Sequence, residues 1–374
     1  MGLLQSAVLG PLALVALYQA AHFATRKEYK SLDAGGILIT GASSGIGRHA
    51  AVSLAKRGFL VYAGVRKQSD ADSIVAEGVS GLAPIILDVA KPDTVDAAFE
   101  AIQSQLAAKS LPFVALVNNA GIARTFPVEM LDMDRDVRAN FEVNYFGVVA
   151  ITQKFLPLLR ATGNGARLVQ ISSVAGLISS AGGNPYAATK FAVEALNDAL
   201  RLELAPFKIS VSAVNPAFVS TPILGRPGDK GEQNKAISKS AATAELMSVY
   251  SHLLNEKNAE EEQKFYALAD SPQVTTDAIT HAITATHPEV RYIVSSISTQ
   301  CIFTHSAYCV PRDMAAYVLQ RACTYVVGSS CSTRSSCRPR RKNALSVLDL
   351  CLHAPPQKPR WRMSVARRHG SSRG

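Results

Sequence analysis

The sequence has no cysteine before Cys301 and no tryptophan before Trp361. Its first 300 residues therefore need neither a disulfide nor a thiolate metal site. The six cysteines that follow (Cys301, Cys309, Cys323, Cys331, Cys337, Cys351) are even in number, which admits a disulfide framework. Their spacing matches no zinc pattern, so they read as incidental thiols, and no metal is expected. Net charge is absent where a nucleic-acid binder would carry it. The formal +10 comes from residues 334–374, where 11 Lys/Arg face one acid, Asp349. The rest of the chain holds 28 basic and 28 acidic groups (39 less 11, 29 less one). A balanced body is no match for phosphate backbones, so no nucleic acid is expected on it. With 374 residues, 48% hydrophobic and 18% charged, collagen-like, coiled-coil and wholly disordered chains are excluded.

Charge is also missing from residues 2–25, an apolar run followed by Arg26, Lys27 and Lys30. About 20 apolar residues span a bilayer core. A cleavable signal peptide would begin with a positive region, which this run lacks. Residues 1–25 are therefore read as an uncleaved membrane anchor, with the positive flank leaving the body on the cytoplasmic side. A helix packed on the body, or an interfacial hairpin bent at Gly10-Pro11, are the alternatives.

Short apolar runs then alternate with helical periodicity. Strands are expected at 36–40, 60–63, 84–87, 113–117, 168–171 and 209–214, with helices at 45–57, 94–107, 137–159 and 187–204. This alternation predicts an α/β fold, a doubly wound parallel sheet with ligands at the carboxyl ends of its strands. Residues 241–255 read as a further helix whose apolar positions either line a pocket or pack on the sheet. Residues 296–374, rich in Cys, Arg and Ser, read as a largely disordered extension to a domain at 34–295.

Residues 40–47, Thr-Gly-Ala-Ser-Ser-Gly-Ile-Gly, stand between the first strand and the first helix. Gly41 permits the turn, Gly45 lets backbone approach a pyrophosphate, and Gly47 allows close helix–sheet packing, while the amides after Ser43, Ser44 and Ile46 face the anion. The acid that would hold a ribose 2′-hydroxyl at the end of the second strand is missing; Val65 stands there, followed by Arg66 and Lys67. These cations suit a 2′-phosphate, so NADP(H) is favoured over NAD(H). Asp88 ends the third strand, where it can accept from the adenine amino group. Asn118 and Ala120 end the fourth, beside the adenosine.

Tyr186 and Lys190 are four apart on a helix and share a face. Ser173 follows the fifth strand, and Asn144 lies in the helix before it. This set permits hydride transfer at a carbon bearing oxygen. Tyr186 would be the general acid/base, its pKa lowered from about 10 by the Lys190 cation and an oxidised nicotinamide. Ser173 would orient and stabilise the reacting oxygen. Lys190 would also hold the ribose, and Asn144 would kink its helix by bonding main chain and hold a relay water.

In these residues, together with Asn215-Pro216 and Thr221, the chain resembles the short-chain dehydrogenases/reductases over residues 35–294. The resemblance implies a Rossmann-type fold, a nicotinamide cofactor and Asn144, Ser173, Tyr186 and Lys190 as catalytic tetrad. Pro216, Val219 and Thr221 would meet the nicotinamide. Ala217 departs from the glycine common there and narrows that pocket. The apolar N-terminus looks like that of membrane-bound retinol and hydroxysteroid dehydrogenases. The expected function is thus NADP(H)-dependent interconversion of a lipophilic alcohol and its carbonyl, with lipid substrate and membrane lipid as partners, at the endoplasmic reticulum facing the cytosol. A homodimer is compatible with it. The alternatives are an NAD-dependent dehydrogenase of a small soluble hydroxy compound, and a non-catalytic nucleotide-binding scaffold.

Overall fold

The computed structural model describes residues 27–224, 244–251 and 269–294. The expected anchor at 1–25 and the extension at 296–374 lie outside the described residues. Among the described residues, no helix is long and apolar enough to cross a membrane.

The chain alternates as expected. In order come β1 (Gly36–Ile39), α1 (Gly45–Lys56), β2 (Leu60–Val65), α2 (Gln68–Val75), β3 (Leu82–Ile86), α3 (Pro92–Ala108) and β4 (Phe113–Asn118). There follow α4 (Ala139–Phe141), α5 (Gly147–Thr162), β5 (Arg167–Ile171), α6 (Tyr186–Glu203), β6 (Ser210–Pro216), α7 (Ala244–Val249), α8 (Pro272–Thr284) and β7 (Arg291–Val294). One seven-stranded sheet runs in the order β3-β2-β1-β4-β5-β6-β7. Every strand pair is parallel.

Side chains alternate across each strand, so one sheet buries two apolar layers. Ile37, Ile39, Val61, Val117, Val169 and Val214 pack with α1 and α8 on one face. Leu38, Tyr62, Leu116, Leu168 and Val211 pack with α3, α5 and α6 on the other. Pro84 sits within β3, which pairs only with β2; at a sheet edge its missing N–H costs no ladder bond. The strand order reverses between β1 and β4, which opens a crevice at their carboxyl ends.

Three features differ from expectation. A seventh strand, β7, pairs with β6 (Ala213 with Arg291, Pro216 with Val294). Helix α8 precedes it, capped by the Ser271 hydroxyl accepting from Gln273 N at 3.3 Å. Thr275, Thr276 and Thr280 supply half of its buried face, so half of that face is polar in the sequence. The helix expected at 137–159 starts earlier and is wound as two π segments, Met133–Arg138 and Glu142–Phe146, separated by α4 and followed by α5.

The amino ends of the strands are tied to the segment that enters the body. Tyr29 N donates to Thr286 O at 2.9 Å, and the Ser31 hydroxyl to Thr284 O at 2.8 Å. Arg167, 1% exposed at the start of β5, donates to Lys30 O and Ala285 O, each at 3.0 Å. The Tyr29 ring lies 5.3 Å from its guanidinium.

Candidate active site

At the opposite end of the sheet, β1 runs into the glycine turn. Gly41 has φ +65° and Gly45 φ +57°, a backbone region that side chains disfavour. Ala120 packs against Gly41: a Cβ there would stand 2.7 Å from the Ala120 Cα. At Gly47 a Cβ would stand 2.4 Å from Asn119 Nδ2, so only glycine lets α1 approach the turn after β4. Ser44 occupies the N-cap of α1 without a side-chain cap bond, and no acid lies in the first turn. That helix end therefore presents amides and a positive dipole to the crevice, as an anion requires. Ser43 uses its carbonyl to accept from Arg48 at 3.3 Å, and Ile46 packs on the core.

Two residues given no role by the sequence reading hold this turn. The Thr40 hydroxyl accepts from Asn119 N and Ala120 N, both at 3.0 Å. Asn119 Nδ2 donates to Thr40 O at 2.9 Å and Gly41 O at 3.0 Å. A polar residue ending each of two adjacent apolar strands was the available signal. Asn118, expected beside the adenosine, ends β4 at the crevice; its side chain is 3% exposed and donates to the Thr152 hydroxyl at 2.9 Å. It stabilises the layer between sheet and α5.

The remaining residues expected at the nucleotide lie at or just past the carboxyl ends of β2, β3 and β6. Val65 closes β2 and is buried, and Arg66, the next residue, is exposed. Asp88 accepts from Ala90 N at 3.2 Å with one carboxylate oxygen. Pro216 ends β6, and Val219 is bridged to Asp270. Thr221 packs on Gly45, 3.1 Å from where a Cβ would stand. Its hydroxyl oxygen is buried and without a partner among the described residues. An open amide-rich helix end, a glycine cradle and an orphaned hydroxyl together fit a dinucleotide.

The reacting groups gather across from the turn. Tyr186 opens α6, and the Ser173 side chain beside it favours its ionised form. Ser173 also caps the short turn after β5, accepting from Ala175 N at 3.1 Å, so the capping and site roles coexist. The Lys190 ammonium lies 5.6 Å from the Tyr186 ring centre and donates to Ile171 O at 2.8 Å. Asn144 Oδ1 accepts from Ile122 N at 2.9 Å, while its Nδ2 donates to Ile122 O at 2.9 Å and to the Thr189 hydroxyl at 3.0 Å. It therefore staples the loop after β4 to α6; the main chain it bonds belongs to that loop rather than to its own π-wound helix.

The electrostatics also need a correction. Burial pushes the Tyr186 hydroxyl above its ordinary value, and the neighbouring Ser173 pulls it part of the way back. The expected lowering by Lys190 is not found in the protein alone. Burial lowers Lys190 itself to about 8, against the opposing pull of the Glu194 carboxylate.

A family model described as short chain dehydrogenase matches residues 36–230, over half of the sequence. The chain is a short-chain dehydrogenase. Retinol dehydrogenase 5 of Mus musculus is 33% identical over 287 residues, covering 75% of this chain and 87% of that protein. The mitochondrial D-beta-hydroxybutyrate dehydrogenase of Rattus norvegicus is 36% identical over 292 residues, covering 74% and 83%. A short-chain dehydrogenase from Streptomyces avermitilis superposes with a TM-score of 0.58 at 26% identity, covering 80% of this chain and 100% of that one. As a member of this family, the short-chain dehydrogenase described here is an NAD(P)-dependent oxidoreductase acting on alcohols and ketones.

Proposed function

We propose that the protein interconverts a lipophilic alcohol and its ketone or aldehyde with NADP(H), Tyr186 carrying the proton. The observation that carries this is Tyr186 set beside Ser173 and Lys190, facing the glycine turn across one crevice. The nicotinamide supplies or accepts the hydride when bound. Ser173 orients the substrate oxygen, and Tyr186 donates or withdraws the proton at that oxygen. A cationic Lys190 favours the tyrosinate that oxidation needs, against the burial that disfavours it. Likeness to retinol dehydrogenase 5, and to an NADPH-dependent 3-dehydrocapnine reductase of Ornithobacterium rhinotracheale (30% identical, covering 74% of this chain and 93% of that protein), supports the substrate and cofactor assignments. Likeness to D-beta-hydroxybutyrate dehydrogenase favours a second reading, a small soluble hydroxy acid.

Turnover of a panel of retinoid, steroid and short-chain carbonyls with each nucleotide tests the proposal. Faster reduction of apolar members with NADPH is expected; nucleotide binding without turnover of any member would point to a scaffold. Arg66, exposed just past Val65, is the group for a 2′-phosphate. A charge-assisted bond of this kind contributes about 1.5–3 kcal/mol. Arg66→Ala should therefore lower the NADPH preference roughly tenfold or more while NADH binding stays.

The proposed location is the endoplasmic reticulum membrane, with the body facing the cytosol and residues 1–25 as anchor. The uncharged run at 2–25 and the cations after it support this. The entering segment docks at the amino ends of the strands, so the crevice opens at the far end of the sheet from the attachment point. Deleting residues 1–25 should release the protein from carbonate-washed membranes; full retention would reject the anchor.

A further inference from the structure

Behind the reacting groups lies a buried carboxylate that the chemistry above does not use. Glu194 is 7% exposed and sits one turn after Lys190 on α6. Its Oε1 accepts from Asn215 Nδ2 at 2.6 Å, and its Oε2 accepts from Arg291 Nε at 2.7 Å. Asn215, wholly buried in β6, donates with the same Nδ2 to Ser173 O at 3.2 Å. One carboxylate thus reaches the main chain of Ser173 through a single amide, and shares a helix face with Lys190. Gly176 lets the turn after Ser173 close over it: a Cβ there would stand 3.1 Å from Glu194 Cγ and 2.9 Å from Lys190 O.

We propose that Glu194 is a positioning residue for the reaction, keeping Lys190 cationic and holding Ser173 in place through Asn215. The inference rests on the assignment of Tyr186, Ser173 and Lys190 as the reacting set. The charges facing Lys190 are few. On α6 they are Tyr186 and Glu194; the Asn144, Ser173 and Asn215 side chains, from the helix before β5, the end of β5 and β6, are neutral. From β7 comes Arg291, which bridges Glu194 and Asp198, the latter at 2.7 Å. Arg291 therefore offsets part of the field that Glu194 places on Lys190. Removing one member or the other should move Lys190 in opposite directions, which a purely structural network would not do.

The test is a titration of Lys190 in the full chain by carbon-13 NMR of labelled lysine side chains, its signal assigned by loss in Lys190→Met. Glu194→Gln keeps the shape and the acceptor for Asn215 but removes the charge. It should lower the Lys190 midpoint by about one unit. Arg291→Gln leaves Glu194 unopposed and should raise it. The alkaline limb of the kcat/KM profile should follow, moving to lower pH in Glu194→Gln. An unchanged midpoint in Glu194→Gln, or shifts of the same sign in both variants, overturns the proposal. If Glu194→Gln does not fold, Arg291→Gln decides alone: a rise supports the inference and no shift rejects it. The titration reads Lys190 whether or not a substrate is turned over. It therefore separates failure of this inference from failure of the substrate assignment.

Discussion

Strand β5 is held at each end by a buried cation, and the two cations do different work. Arg167, its first residue, donates to Lys30 O and Ala285 O. Lys190 donates to the carbonyl of Ile171, its last. Burial lowers both, Arg167 to about 10 and Lys190 to about 8. At about 10 the guanidinium stays charged at any physiological pH, and its Nη2 alone satisfies two carbonyls. That suits a clamp. At about 8 the ammonium is poised to titrate near neutrality, beside the tyrosine proposed to carry the proton. The same element is built for permanence at one end and for chemistry at the other.

The sharpest way to separate the ends is to remove the proton donor. Tyr186→Phe should lower kcat by about 10²–10⁴-fold with nucleotide binding nearly intact, as single-turnover and equilibrium binding measurements would show. Activity near wild type would overturn the assignment. Next come the two cations. Arg167→Met strips Lys30 O and Ala285 O of a buried donor and should cost about 1–3 kcal/mol in urea unfolding, with kcat per folded molecule unchanged. Lys190→Met should do the reverse, losing turnover while gaining about 1–2 kcal/mol at pH 7, because relief of the ammonium's burial cost outweighs the single bond lost at Ile171 O, where Arg167 gives up two.

The sign of that gain can be followed with pH. The folded Lys190 value lies below the unfolded one, so its penalty is complete below pH 8. It is relieved as pH rises from about 8 to 10.5, and the stability gap between wild type and Lys190→Met should close over that window. A gap independent of pH would mean that Lys190 titrates in the fold as it does in the unfolded chain. The smallest expected effect is in the turn. Thr40→Val leaves Asn119 N and Ala120 N without their acceptor, and should cost about 1–2 kcal/mol of stability with a weaker nucleotide affinity.

Much of this molecule is decided by short stretches of sequence. Six of the strands follow from apolar runs, because a buried parallel strand must be apolar on both faces. Gly41 and Gly47 are readable because no other residue tolerates the backbone or the contacts at those positions. Tyr186 and Lys190 share a face because helices repeat every 3.6 residues. Tertiary structure alone decided the rest. β7 is four residues long, and α8 buries threonines, so neither announces itself until β6 and α1 provide partners. The Asn118 side chain bonds Thr152, 34 residues on, a partner that no local pattern names. The raised Tyr186, the lowered Lys190 and the bond from Arg291 to Glu194 across 97 residues of chain all depend on which groups are desolvated together. Desolvation is a property of neighbours in space, and the order of residues along the chain does not contain it.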